Sequence, residues 1–180
     1  MRITLQRKTG KWTLSGMDEF HLALLRKVAA DVSYSQSPEG RARLFPTPLS
    51  DEESFSEEEF LADWKEFVVD DMEDKFTADV RTLLSDLEKV KPQQRKDEVE
   101  TAPQQRLTLP LENAPAWFSA LNQARLMLEL RHKFHDEHDQ FVSGSKDGSF
   151  TEEALQERFV AYLRYEFFCM IQEWIVRHAL

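Results

Sequence analysis

Apolar and polar positions alternate at the start of the chain, with Ile3 and Leu5 in MRITLQ and Trp12 and Leu14 in KWTLS. The turn signal Thr9-Gly10 lies between them, and this period of two predicts a short β-hairpin with one face against a core. The period then lengthens. Phe20, Leu24, Leu25, Val28 and Val32 recur every three or four residues, which predicts a helix over about 17–34, with Ser15 and Asp18 as cap and first-turn acid.

RARLFPTPLSDEES carries two prolines and cannot continue a helix. Ser56 with Glu59 three residues later is a capping box. Phe60, Trp64, Val68, Met72, Phe76, Val80, Leu84 and Leu87 follow at helical spacing, so a long helix runs to about Val90. Its length of roughly 45–50 Å exceeds what a small domain needs, and a bend or break is expected between Asp70 and Asp79.

KPQQRKDEVETAPQQR, residues 91–106, is polar with two prolines and reads as a linker or mobile loop. In LTLPL, Leu107, Leu109 and Leu111 share one side of an extended segment, a possible third strand beside the hairpin. A helix is predicted from Ala114 to about Phe134, with Pro115 tolerated in its first turn. The last helix starts near Ser149 to Glu152 and runs almost to Leu180. Phe159, Val160, Tyr162, Leu163, Phe167, Phe168, Met170, Ile171, Trp174 and Ile175 cover most of its circumference, so it is central to the fold or shared between core and partner. The fold class is mainly α (α+β): a four-helix core with a small N-terminal β-hairpin and a possible third strand, forming a single domain over 1–180.

Composition sharpens this picture. A length of 180 residues suffices for one well-buried core. Acids outnumber bases by 33 to 23, the net charge is −10, and the basic residues are scattered along the sequence. Polyanion binding needs clustered Lys and Arg, so nucleic acid is not the expected partner. Cys169 is the only cysteine and can form no intramolecular disulfide. MRITLQRKTG has no apolar core of a secretory signal, and no apolar run is long enough to span a membrane. A soluble, cytoplasmic protein is expected.

HKFHDEHD, residues 132–139, is the stretch most like metal chemistry. On an ideal helix His132, His135 and His138 point to about 0°, 300° and 240°, too wide for one face. Zinc helices favour an i, i+4 pair. Against a metal site stands a solvated helix end, where His and Lys suit the dipole. SGSKDGSFTEEA, residues 143–154, mimics a calcium loop but has Ser143 and Ala154 where an acid and a bidentate Glu are required. DEESFSEEEF could suggest a cation site or a basic partner, but acids at a helix start are favoured by the dipole in any case, and a solvated helix start is the expectation.

Along WFSALNQARLMLELRHKF, Asn122, Arg125, Glu129 and His132 flank an apolar face. They form either an ordinary solvent face or a partly buried network reaching Glu166 or Glu173 on the last helix, where a partner could be received together with Trp174. Cys169 sits in the apolar run YEFFCMIQEW, where a buried thiol is inert. No nucleophile elbow, glycine-rich phosphate loop or Ser-His-Asp pattern is present, and no cofactor is implied.

Arg43-Leu44-Phe45-Pro46, Trp117-Phe118, Ala120-Leu121-Asn122, Arg125-Leu126 and Trp174 occur in the order RLFP, LTLPLENAPAWFSALNQARLMLEL and WIVRHAL. In this the chain resembles, over nearly its whole length, a bacterial family known only as a domain of unknown function. That family is best populated in actinobacteria, where its gene often adjoins that of the Clp protease adaptor. The resemblance implies a small cytoplasmic regulatory protein, some relatives being described as transcriptional or oxidative-stress regulators. A redox role in those relatives would use a cysteine pair, which this chain lacks. The expectation is a non-enzymatic module for protein–protein interaction, including self-association through the last helix. A protein binding a metal or small molecule through His132, His135 and His138 is the alternative, and a transcriptional regulator the third.

Overall fold

The computed structural model describes residues 1–46, 57–93, 103–134 and 151–180. The linker centre, His135, His138, most of the calcium-loop mimic and the start of the acidic stretch lie outside them.

The alternation near the start does form a hairpin. Strand β1 (Arg2–Gln6) pairs antiparallel with β2 (Lys11–Met17) through a turn closed by Gly10 at φ 59, a conformation glycine adopts without a Cβ penalty. LTL supplies the third strand: β4 (Gln105–Pro110) pairs antiparallel with β2. A fourth was not foreseen. Lys91–Pro92, β3, pairs with Gln105 and Arg106, so the order is β1-β2-β4-β3 and both ends of the expected linker are strand. Register puts Ile3, Leu14 and Leu107 in one row and Leu5, Trp12 and Leu109 in the next, all on the core face.

The helix expected over 17–34 is divided. Asp18, not Ser15, is the cap, accepting from the His21 amide at 3.0 Å. α1 (Glu19–Arg26) ends at Lys27, α2 (Val28–Val32) follows, and a 3-10 turn spans Ser33–Gln36. Phe20 is half exposed rather than in the core. A short helix, α3 (Pro38–Leu44), then precedes Pro46. Ser37 caps it by accepting from the Gly40 amide, and Pro38 fits its first turn, where no amide donor is needed.

The break in the long helix falls earlier than expected. α4 (Glu57–Trp64) passes into a π-helical segment, Lys65–Val69, and continues as α5 (Asp70–Leu87). One wide turn absorbs the mismatch that was expected beyond Asp70. α6 (Ala114–His132) ends at Lys133 in the left-handed conformation, and α7 (Glu152–His178) is capped by Thr151 accepting from Ala154. The protein is mainly helical with a small antiparallel sheet.

α6 packs against α2, α5 and α7. Trp12 joins the layers: its ring meets Trp117 of α6 edge-on at 5.3 Å and stacks on Trp174 of α7 at 5.6 Å. Its indole N–H donates to the Pro110 carbonyl at 3.2 Å. Buried aromatic surface of this kind contributes several kcal/mol per residue relative to Ala, about 3–5.

Candidate functional site

Of the polar residues flanking the apolar face of α6, Arg125 reaches α7. Arg125 donates from Nη1 to Gln172 Oε1 at 2.6 Å and from Nη2 to the Tyr165 hydroxyl at 3.2 Å. Its guanidinium carbon lies 4.9 Å from the Tyr165 ring centroid. Gln172, only 3% exposed, donates back to the Phe118 carbonyl at 3.0 Å. The amide thus accepts from and donates to one helix, a double tie across the α6–α7 seam. Arg125 Nε is buried with no hydrogen-bond acceptor among the described residues.

The network reaches Gln172 and Tyr165 rather than Glu173, which pairs with Arg177 on the surface. Glu166 is exposed, but its charge acts on Tyr162 and Cys169. Loss of hydration and then Glu166 hold the Tyr162 phenol above its usual range. Burial pushes the Cys169 thiol up, and the nearby Arg125 charge opposes this less strongly. A thiol so placed is poorly nucleophilic.

Asn122 and Glu129 lie half-buried on α6, close to one turn before and after Arg125. Trp174 is partly buried against Trp12 and 5.2 Å from the His178 ring. The seam therefore brings Arg125 to Tyr165 and Gln172, while Trp174 packs on the sheet. Chemically it offers directed hydrogen bonds that hold two helices in register.

His132, the member of the histidine cluster that is described, stacks on Phe134 at 5.6 Å. Burial lowers its basicity first, and the Arg131 charge adds to this. Arg164 and Arg158 act in the same sense, with Glu157 opposing. Among the described residues, the charges around His132 are mostly cationic. Among the described residues no group of three or more His, Cys, Asp or Glu is placed to hold a metal.

Several residues were not singled out from sequence. Asp86, 1% exposed, accepts from Lys89, Asn113 and Trp117 at 2.7, 2.8 and 2.9 Å. Asp31 of α2 and Arg164 of α7 form a bidentate pair at 2.9 and 3.0 Å, both side chains largely buried. A cleft of about 190 Å³ opens between α2, α3, α5 and α6, lined by Leu44, Phe45, Phe76, Val80 and the buried Gln123. The Asn113/Trp117 spacing at a helix start could have pointed to an acid partner. Nothing local marks Asp31.

No described helix is long and apolar enough to cross a membrane. No curated protein and no solved structure matches the chain. The RLFP, Trp117-Phe118 and Arg125-Leu126 positions lie within a family match that runs over residues 2–179, and by it the chain belongs to the family described as Domain of unknown function (DUF2017).

Proposed function

We propose that this protein is a non-catalytic interaction module, acting as a cytoplasmic regulator by binding protein, with self-association through α7 as its first mode. One observation carries the reading. α7 is buried along one side, yet Leu155, Phe159 and Met170 are 42%, 49% and 44% exposed on the other. These three fall within about 60° of helix circumference, with half-buried Leu163 beside them and the exposed Glu166 and Glu173 on the same arc. Partly exposed apolar side chains of this kind are costly to leave in water and are what a helix-to-helix contact covers. The Arg125 seam supports this role at a distance by fixing how α7 sits on α6.

The regulatory role implied by the family resemblance is consistent with that reading, and the polar groups at the seam are bonded to one another rather than converging on a substrate-sized space. Sedimentation velocity over a wide concentration range tests the proposal. The native chain is expected to dimerise, and Phe159→Glu/Met170→Glu to remain monomeric with unchanged circular dichroism. A native chain that stays monomeric at the highest concentrations removes the self-association mode.

A second reading, binding of a small apolar molecule, is favoured by the cleft at Phe45 and Phe76, where Gln123 makes only long contacts, 3.4 Å to the Phe76 carbonyl and 3.4 Å to Ser119 Oγ. Its discriminator is a thermal-shift screen of small amphiphiles against the native chain and Phe76→Asp.

A further inference from the structure

The bases that are scattered in sequence converge on the sheet. The four strands and the β1–β2 turn carry Arg2, Arg7, Lys8, Lys11, Lys91 and Arg106, and not one of the 33 acidic residues. Paired residues in an antiparallel ladder share a face. The registers Arg2↔Ser15, Ser15↔Arg106 and Lys91↔Arg106 therefore set one row across all four strands, on the side away from the core. Thr4, Thr13 and Thr108 form the next row, with Thr13 and Thr108 hydroxyls 3.1 Å apart. Gln6, Lys11 and Pro110 form the third.

Arg2, Lys11, Lys91 and Arg106 are exposed, and none has an ion-pair partner among the described residues. Elsewhere the described Arg and Lys side chains are often neutralised: Arg26, Arg41, Lys75, Lys89, Arg131, Arg164 and Arg177 all sit against carboxylates. Lys91, Arg106 and Thr108 also line an open concavity of about 830 Å³, with Lys89 at its rim held by Asp86. In a chain of net charge −10 this is a segregated cationic face.

We propose that the outer sheet face is a docking surface for a short acidic polypeptide segment of a partner protein. Charge complementarity selects an anion, and the size and chemistry of the face select which kind. Strand spacing makes the face about 14 Å across, the length of four or so extended residues. Beyond it the charge balance turns acidic, and at physiological salt that field is felt within about 8 Å. A long polyanion running off the face meets repulsion, whereas a short segment does not. Single-stranded nucleic acid is held on sheets by aromatic stacking, and these three rows contain no aromatic residue. The exposed Thr108 and half-buried Thr4 beside guanidinium and ammonium groups suit carboxylates and peptide carbonyls instead, while Thr13 is buried and Ser15 Oγ donates to the Arg2 carbonyl. This surface is distinct from the α7 stripe and does not depend on it.

Fluorescence anisotropy of a fluorescein-labelled hexaglutamate peptide, titrated with the full chain at low and at physiological salt, tests the proposal. Saturable binding is expected, weakening about tenfold with salt and about tenfold again in Lys91→Glu/Arg106→Glu. Lys65→Glu/Arg81→Glu makes the same charge change away from the face and should stay within about twofold of the native chain. Lys91→Gln/Arg106→Gln removes the cations without adding acids and should weaken binding about threefold, which keeps the test independent of any disturbance of the sheet by charge reversal. The proposal is overturned by absence of peptide binding, by equal loss in the two charge-reversed variants, or by tighter binding of a short oligothymidylate or of phosphatidylserine vesicles than of the peptide.

Discussion

The indole N–H of Trp117 donates to Asp86 at 2.9 Å, joining the last turn of α5 to the first turn of α6 where both side chains are almost wholly buried. The same carboxylate oxygen accepts from Asn113 at 2.8 Å, and the other accepts from Lys89 at 2.7 Å. A buried carboxylate holding three donors is stabilising only as a complete set. Asp86→Ala strips the partner from the Trp117 and Asn113 donors together, at an expected cost of about 3 kcal/mol. Trp117→Phe removes a single donor and should cost about 1–2 kcal/mol. Urea denaturation of the two variants checks the order. Equal midpoints would mean that the carboxylate contributes nothing beyond its contact with Trp117.

That acid shows where sequence reading stops. Ile3, Leu5, Trp12 and Leu14 announce a hairpin because period two can bury only one face, and Leu107 and Leu109 extend it for the same reason. The helices of residues 57–87, 114–132 and 152–178 follow from apolar spacing in the same way. Asp86 and Asp31 are illegible because their partners lie 31 and 133 residues away, and an Asp on a helix ordinarily reads as solvated. β3 is illegible since two residues have no period, whereas α3 carries a local signal in Ser37 as cap and Pro38 in the first turn. At the seam, Arg125 was legible from its flank position, but its partners Tyr165 and Gln172 were not. The cationic face was half legible: residues 1–17 contain four bases and no acid. Strand pairing alone shows that Lys91 and Arg106 join them.

Asp31 and Arg164 give a pH-dependent prediction. Burial holds the Asp31 carboxyl above its ordinary value, outweighing the Arg164 charge and hydrogen bonds that pull it down. The native state thus keeps this proton to higher pH than the unfolded chain does. The stability linked to Asp31 is fully present below the unfolded-state pKa and declines as pH rises through the folded-state value. Arg164→Leu leaves the ionised acid without its partner and should cost about 3–5 kcal/mol at neutral pH. The loss should shrink in acid, where Asp31 is neutral. Asp31→Leu/Arg164→Leu should recover most of it, since replacing both charges leaves no buried orphan. Unfolding free energies of the native chain, Asp31→Leu, Arg164→Leu and the double variant at two pH values make the cycle, and a loss in Arg164→Leu that is flat with pH would contradict it.

Two glycines should respond to alanine for different reasons. A Cβ on Gly40 would fall inside van der Waals distance of the Tyr34 carbonyl oxygen and 2.9 Å from the Ser35 Cα, backbone that cannot rotate aside. Gly40→Ala should cost about 2–3 kcal/mol by forcing α3 away from the preceding 3-10 turn. Gly10 has open space around it but sits at φ +59, so Gly10→Ala should cost about 1 kcal/mol in backbone strain alone, and Gly10→Asn less. Thermal melts of the three variants rank them. If Gly10→Ala proves the worse, packing at Tyr34 is looser than its geometry implies.

Arg125 tests whether the α6–α7 seam is held by shape as well as by charge. Its planar guanidinium bonds Gln172 and the Tyr165 hydroxyl while its central carbon stays near the Tyr165 ring. Lysine keeps the charge but cannot present two divergent donors from a flat group. Arg125→Lys should therefore cost about 1–2 kcal/mol, and Arg125→Ala about 2–3 kcal/mol, because Gln172 Oε1 then loses its donor in a buried site. A second readout separates the seam from simple packing. The Arg125 charge is the largest influence drawing the Cys169 thiol down against burial, so the neutral, similarly sized Arg125→Met should move the inflection of thiol alkylation to higher pH. Arg125→Lys, which retains a cation, should move it less. A common inflection for all three chains, with stability lost as expected, would show that the guanidinium fastens the helices without setting the state of the thiol.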